Sequence, residues 1–229
     1  MNYGLNLNKY GNWEKFLPIY EPQILKDGSD ENGCWIWGTL NLLEIVLKIK
    51  DGKDYNLSER FLYNGLLSDG TGGNPINACE FIHKNGIIDN ELLPTPDTLA
   101  ELKIPRPLTN KLLCEAKQFP YKIYYSKWYT LGIANKISEF LEKYPIGVTL
   151  YAWTQDEKGL YYRPDQSIKD NHFCVLFKET DDFYCVFDTY DHSIKNVRKD
   201  MGFGMFIIIY VLPKTMLERL SDKIKCLIN

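Results

Sequence analysis

Gly33-Cys34-Trp35-Ile36-Trp37-Gly38 marks the point where a polar, glycine-punctuated stretch, Lys26 to Gly33, gives way to an apolar run from Leu40 to Ile49. The spacing of Leu40, Leu43, Val46 and Leu47 predicts a helix from Cys34 to about Lys50, closed by Asp51-Gly52, a normal helix exit. Cys34 then falls in the first turn, where unpaired backbone N–H groups and the helix dipole favour a thiolate, the form that attacks carbonyls. Most cysteines in helices are packing residues. Cys34 stands apart because a glycine precedes it, a bulky tryptophan follows it and a polar loop leads into it. Far downstream, Asn171-His172-Phe173-Cys174-Val175 and Val186-Phe187-Asp188-Thr189-Tyr190 offer an imidazole and a carboxylate at the edges of two strand-like segments. Cys34, His172 and Asp188 are therefore the candidate nucleophile, acid/base and orienting group.

Working outward, the first half reads as helical. Asn56-Leu57-Ser58 leads into a capped helix over Ser58-Glu59-Arg60-Phe61-Leu62, and Pro75 to about Lys84 predicts a third helix with Gly86 just beyond its end. Asp69-Gly70-Thr71-Gly72-Gly73-Asn74-Pro75 is a tight turn. Between Ile87 and Leu108, prolines 94, 96, 105 and 107 argue against a helix or central strand, and this segment reads as the crossing between two lobes.

The second half changes period. After a helix at about Ala134 to Tyr144, the β-branched and aromatic runs Ile146 to Trp153, His172 to Lys178, Phe183 to Asp188 and Met205 to Leu212 predict one largely antiparallel sheet. A hairpin at Asp181-Asp182 would bring His172 and Asp188 to the same end of that sheet. Lys214 to Cys226 shows helical spacing at Met216, Leu217, Leu220 and Ile224. The fold class expected is α+β in a single domain, a helical lobe over about 22–108, a β-rich lobe over about 109–212 and a closing helix from 213 to 229.

Composition sets the boundaries. Hydrophobic residues make up 45%, charged residues 25%, and the net charge is −3, a profile that gives no reason to expect a nucleic-acid partner. Six cysteines form no C-x-x-C pair in a chain too large to need a disulfide framework, so reduced thiols in the cytoplasm are expected. The first residues lack a signal-peptide pattern, and the longest strongly apolar run, Met205 to Leu212, is far short of a bilayer span. The other five cysteines lie in apolar runs (Cys79, Cys174, Cys185) or on helix faces (Cys114, Cys226) and read as packing. Of the remaining histidines, His83 reads as solvent-facing or a helix C-cap and His192 as a loop residue. No metal motif is present, H-E-x-x-H included, and the Gly-Thr-Gly-Gly turn lacks the Gly-Lys-Ser/Thr of a phosphate loop. No metal or organic cofactor is expected.

In this order the parts resemble the papain-like cysteine proteases, over most of the chain from about Pro22 to Leu212. Gly33-Cys34-Trp35 opens the long helix, Ser58-Glu59 resembles the family's second helix, and Gly72-Gly73 precedes Pro75. Histidine follows the cysteine by about 138 residues, inside the ~130–150 usual for this nucleophile and base. The resemblance implies a two-lobed fold with the active-site cleft between the lobes and a peptide or protein substrate. Cys34 would attack a peptide carbonyl, His172 would move the proton, and Gly72 and Gly73 would bind the substrate as an extended strand.

Three departures accompany the resemblance. Asp188 stands where the family usually has asparagine. The family's active-site disulfide cysteines are missing. The glutamine that supplies an oxyanion donor six residues before the nucleophile is replaced by Gly28, or by Asp27 if one residue is inserted, leaving Asn32 or Gln23 as substitutes. The 33 residues before Cys34 leave no room for the family's long inhibitory propeptide, and a chain made without it is expected. Two other readings of the same residues are a Cys/His hydrolase of cell-wall amide or isopeptide bonds, and a papain-shaped binding module of a phage or bacterial assembly.

Overall fold

The computed structural model describes residues 11–228 apart from 69, 105, 127–128, 131–135 and 192. Its helices are α1 (Cys34–Asp51), α2 (Glu59–Gly65), α3 (Pro75–Asn85), α4 (Leu99–Leu102), α5 (Asn110–Lys117), α6 (Ile137–Leu141) and α7 (Met216–Ile228). Its strands are β1 (Tyr121–Tyr125), β2 (Tyr129–Thr130), β3 (Ile146–Leu150), β4 (Thr154–Gln155), β5 (Tyr161–Tyr162), β6 (His172–Glu179), β7 (Phe183–Phe187), β8 (Ile194–Arg198), β9 (Met205–Ile207) and β10 (Ile209–Pro213).

The first three helices begin and end as their sequences dictate. Ser58 caps α2 by accepting from the Phe61 N–H, and Asn74 caps α3 by accepting from the Ile76 N–H ahead of Pro75 at the first helical position. Gly52 closes α1 in the left-handed conformation, φ 75°, its N–H returning to the Lys48 carbonyl. α1 is apolar on nearly every side, so it is buried as a central helix, packed against α2 and α3 on one flank and β6, β3 and β10 on the other. The proline-rich segment after α3 contains two helical turns that the sequence reading did not expect, a 3₁₀ turn at Asn90–Leu92 behind Asp89, which accepts from the Glu91 N–H, and α4 behind Thr98, which accepts from the Glu101 N–H.

Eight strands form one sheet in the order β2-β9-β3-β6-β7-β8-β5-β4, antiparallel except for the parallel contact of β5 with β8, and β1 pairs with β10 in a separate two-stranded ribbon. Among the described residues the end strands β2 and β4 are not joined. The predicted strand Met205 to Leu212 is two: β9 pairs with β2 and β3, and after Ile208 the chain crosses to β1 as β10. The strand expected from Ile146 to Trp153 ends at Leu150. The start of the helix expected at Ala134 lies outside the described residues, as does His192.

α1 meets the sheet through glycine. A methyl group at Gly38 would stand 2.8 Å from the Phe173 ring, and one at Gly147 on β3 would stand 2.5 Å from the same ring, 3.0 Å from Ile207 and 3.1 Å from Leu42. Phe173 is wedged between helix and sheet with both faces of the gap reduced to backbone. Gly147→Ala is expected to destabilise the fold by about 1–3 kcal/mol through overpacking, read as a lower urea midpoint with an unchanged slope.

Candidate active site

Cys34 is the first residue of α1, with Gly33 as the N-cap. A side chain at Gly33 would collide with the Glu31 carboxyl at 1.7 Å and the Trp37 ring at 2.7 Å, so only glycine brings the loop into the helix at this angle. Cys34 lines a cavity of about 510 Å³ together with Gln23, Gly72, Gly73, Trp153 and His172. Gly73 is itself required by packing, since a methyl there would enter the Trp35 ring at 2.3 Å.

His172 opens β6 opposite Leu150 of β3. The approach to it is braced: Asn171 exchanges side-chain hydrogen bonds with the Ala152 backbone at 2.8 and 3.2 Å, and Asp170 accepts from Thr149 and pairs with Arg163. Asp188 follows β7, its N–H donating to the Ser193 carbonyl at 2.8 Å. Since β6 and β7 are antiparallel neighbours, both residues lie at the same end of the sheet, and His172 Nε2 reaches Asp188 Oδ1 at 2.5 Å. The other ring nitrogen, Nδ1, remains for Cys34, which lines the same cavity and helps raise the imidazole. Trp153 stands edge-to-face on the imidazole, 5.3 Å between centroids, and screens it from water. The three sequence-predicted residues thus meet in one chain of contacts.

Burial alone would push the imidazole down, but its hydrogen bonds to Asp188 and Cys34, and the charge of each, raise it to about 10. Asp188 is fully buried, which would push it up; the hydrogen bond and charge of His172, then the charge and hydrogen bond of Lys195, hold it below the usual carboxylate range. The ring is therefore an imidazolium near neutrality, and an imidazolium beside a thiol stabilises the thiolate. Lys195, 1% exposed on β8, donates to Asp188 Oδ2 at 2.6 Å.

The structure separates the candidate oxyanion donors. Asp27 is held in a surface turn, accepting from the Ser29 and Leu99 N–H groups, and Gly28 sits in the same turn with φ 81°. Asn32 directs its amide to the Gly70 carbonyl at 2.9 Å. Gln23 is 2% exposed; its Oε1 accepts from Thr189 at 2.8 Å and its Nε2 donates to Asp30 at 3.0 Å, which leaves one amide hydrogen of a residue that lines the cavity of Cys34. Gln23 is pinned further by its backbone N–H on the Thr189 carbonyl. Sequence reasoning missed Lys195 altogether. His83 is exposed and bonds through Nδ1 to the Ile123 carbonyl, away from this cavity. Among the described residues no group of three or more His, Cys, Asp or Glu is arranged to hold a metal, and no helix is long and apolar enough to cross a membrane.

A central helix presenting a cysteine at its N-terminus to a histidine on an antiparallel sheet is the papain-like cysteine-protease fold. No family profile matches the sequence, and no curated protein is similar to it. Solved structures are. The bromelain protease from Ananas comosus, in complex with the E64 inhibitor, matches with a TM-score of 0.64 and 17% identity over 89% of this chain and 98% of its own. Digestive procathepsin L 3 from the Tenebrio molitor larval midgut matches with 0.64 and 16% over 92% and 72%. The cysteine protease and lectin-like domains of Cwp84, a surface layer associated protein of Clostridium difficile, match with 0.67 and 12% over 86% and 50%. At these identities the likeness is one of fold.

Glu31 lies three residues before Cys34, 1% exposed, with neither carboxyl oxygen partnered among the described residues. Burial and then the charge of Asp30 push it up to about 8, against the pull of Lys103. Because the folded state holds this proton more tightly than the unfolded chain, stability falls as pH rises from the ordinary carboxyl range toward about 8. Glu31→Gln removes that dependence. Its thermal midpoint is expected to exceed wild type by a few degrees near pH 8.5 and to converge with it near pH 5, about 1 kcal/mol moving Tm by roughly 2–4 °C at this size.

Proposed function

We propose that this chain is a cysteine-type endopeptidase, with Cys34 as nucleophile, His172 as acid/base and Asp188 as the group that orients the imidazole. The observation that carries this reading is that the Cys34 thiol shares one cavity with His172, whose imidazole is bonded to the buried Asp188, and that paired glycines stand on the same wall. Cys34 attacks the carbonyl carbon of a peptide bond as a thiolate. The carbonyl electrons move to oxygen, where the Cys34 backbone N–H and Gln23 Nε2 donate hydrogen bonds. His172 gives its proton to the leaving amine, which departs as the thioester forms, and then takes a proton from the water that hydrolyses it. Gly72 and Gly73 leave backbone groups open to an extended peptide where side chains would block it. The six free thiols fit a reducing compartment such as the cytoplasm.

The test combines labelling with turnover. Iodoacetamide modification of Cys34, read by peptide mass spectrometry near pH 6, is expected to be at least tenfold faster in wild type than in His172→Ala, and cleavage of a peptide library is expected to vanish in Cys34→Ala. Labelling that follows an ordinary thiol of pKa about 8.5 in both proteins sinks the reading.

Gln23 has its own signature. Gln23→Ala is expected to lower kcat by about 10²–10³ through loss of one oxyanion donor. Iodoacetamide labelling of Cys34 in this variant should stay at the wild-type rate, because alkylation forms no oxyanion.

A further inference from the structure

β8 runs against its own hydrophobic alternation. Ile194 is 43% exposed while Lys195, paired across the β7–β8 ladder with Val186 in the core, is 1% exposed. A buried ammonium is costly unless it is paired and hydrogen-bonded. Lys195 Nζ donates to Asp188 Oδ2 at 2.6 Å and to the Tyr190 carbonyl, and it stands 5.0 Å from the Trp153 ring and 5.9 Å from the Tyr161 ring. Asp188 divides its oxygens, Oδ1 to His172 and Oδ2 to Lys195. The carboxylate is therefore shared between two cations. Asp188 keeps the charge that raises the imidazole, and Lys195 sets a positive charge against its other oxygen.

We propose that Lys195 is a positioning residue that partly offsets the charge of Asp188, so that His172 faces a fixed acceptor whose hold on its proton is moderated. The proposal rests on the peptidase reading of His172. A bare buried carboxylate would hold the imidazolium too tightly for it to release a proton to the leaving amine; sharing that carboxylate with an ammonium restores the release. The groups that face Asp188 and its partners from the neighbouring elements are the thiols of Cys34 and Cys174, the phenols of Tyr20 and Tyr161 and the carboxylate of Asp191. Burial pushes Cys174 and both phenols up, so they stay neutral near pH 7. The charged groups in contact along this line are Asp188, bonded to the imidazole through Oδ1, and Lys195, bonded to Asp188 through Oδ2.

The measurement is an NMR titration of ¹³C-labelled histidine, tractable because the chain has three. It compares wild type, Lys195→Met, Asp188→Asn and the Asp188→Asn/Lys195→Met double variant. Lys195→Met is expected to raise the His172 midpoint by about one unit, a tenfold gain in proton affinity, and to slow turnover of an amide more than of an ester with the same acyl group, whose leaving group needs less protonation. An unmoved midpoint in folded Lys195→Met overturns the proposal. If that variant does not fold, the comparison passes to Asp188→Asn and the double variant, in which no buried carboxylate is left unpaired. A higher midpoint in the double variant than in Asp188→Asn supports an electrostatic role, and equal midpoints overturn it. Failure of the underlying reading is separate: wild type that does not cleave peptides, with a midpoint that still moves in Lys195→Met, overturns the peptidase and leaves the charge relationship standing.

Discussion

The seat of Phe173 sets the distance on which the site depends. Its ring fills a gap bounded by Gly38 of α1 and Gly147 of β3, where even a methyl group would stand 2.8 or 2.5 Å from it. Cys34 stands one turn from Gly38 on the same helix, and His172 immediately precedes Phe173 on β6. A thickening of that contact lifts the thiol away from the imidazole. Packing between two apolar elements thus becomes chemistry: interiors are dense and transmit small displacements rather than absorbing them.

Electrostatics at the site follows from how little water is left. His172, Asp188 and Lys195 are all largely buried, and each offsets its desolvation only through the others. Removing one member therefore does more than delete a contact, because it leaves its neighbours charged and unmatched. Glu31 is the counterexample nearby. It has no such partner, and it relieves its burial by holding a proton.

Where the chain announces its structure through local chemistry, the sequence was readable. Ser58, Asn74, Pro75 and Gly52 mark helix ends by the hydrogen bonds and torsions they make available, and β6 and β7 are long apolar runs with a turn between them. Cys34 and His172 were visible because each stands at a boundary between polar and apolar sequence. What stayed hidden depends on partners remote in the chain. Met205 to Leu212 is uniformly apolar, and nothing in it says that Ile208 separates two sheets. β8 was missed because Ile194 and Lys195 exchange the faces their types suggest, an inversion that makes sense only once Asp188 is beside Lys195. Asn32 and Gln23 both stood as substitutes in the sequence, and only the fold separates them, sending the Asn32 amide to the Gly70 carbonyl and placing Gln23 on the cavity of Cys34. Helical spacing at Met216, Leu217, Leu220 and Ile224 correctly gives α7, yet these apolar residues are exposed rather than buried.

The crossing from β9 to β10 has a bearing on synthesis. β10 returns to pair with β1 and to pack against α1, so the helix that carries Cys34 is enclosed by residues more than a hundred positions further along. Such contacts, remote in sequence, form late. A nascent chain carries Cys34 out of the ribosome long before residues 172, 188 and 195 exist, and longer still before Ile209–Pro213 can close over the helix. Until then the thiol has neither the imidazole beside it nor a rigid seat. The order of residues along the chain thus imposes a delay: the cavity beside Cys34 takes shape only after β6, β7 and β10 have been made.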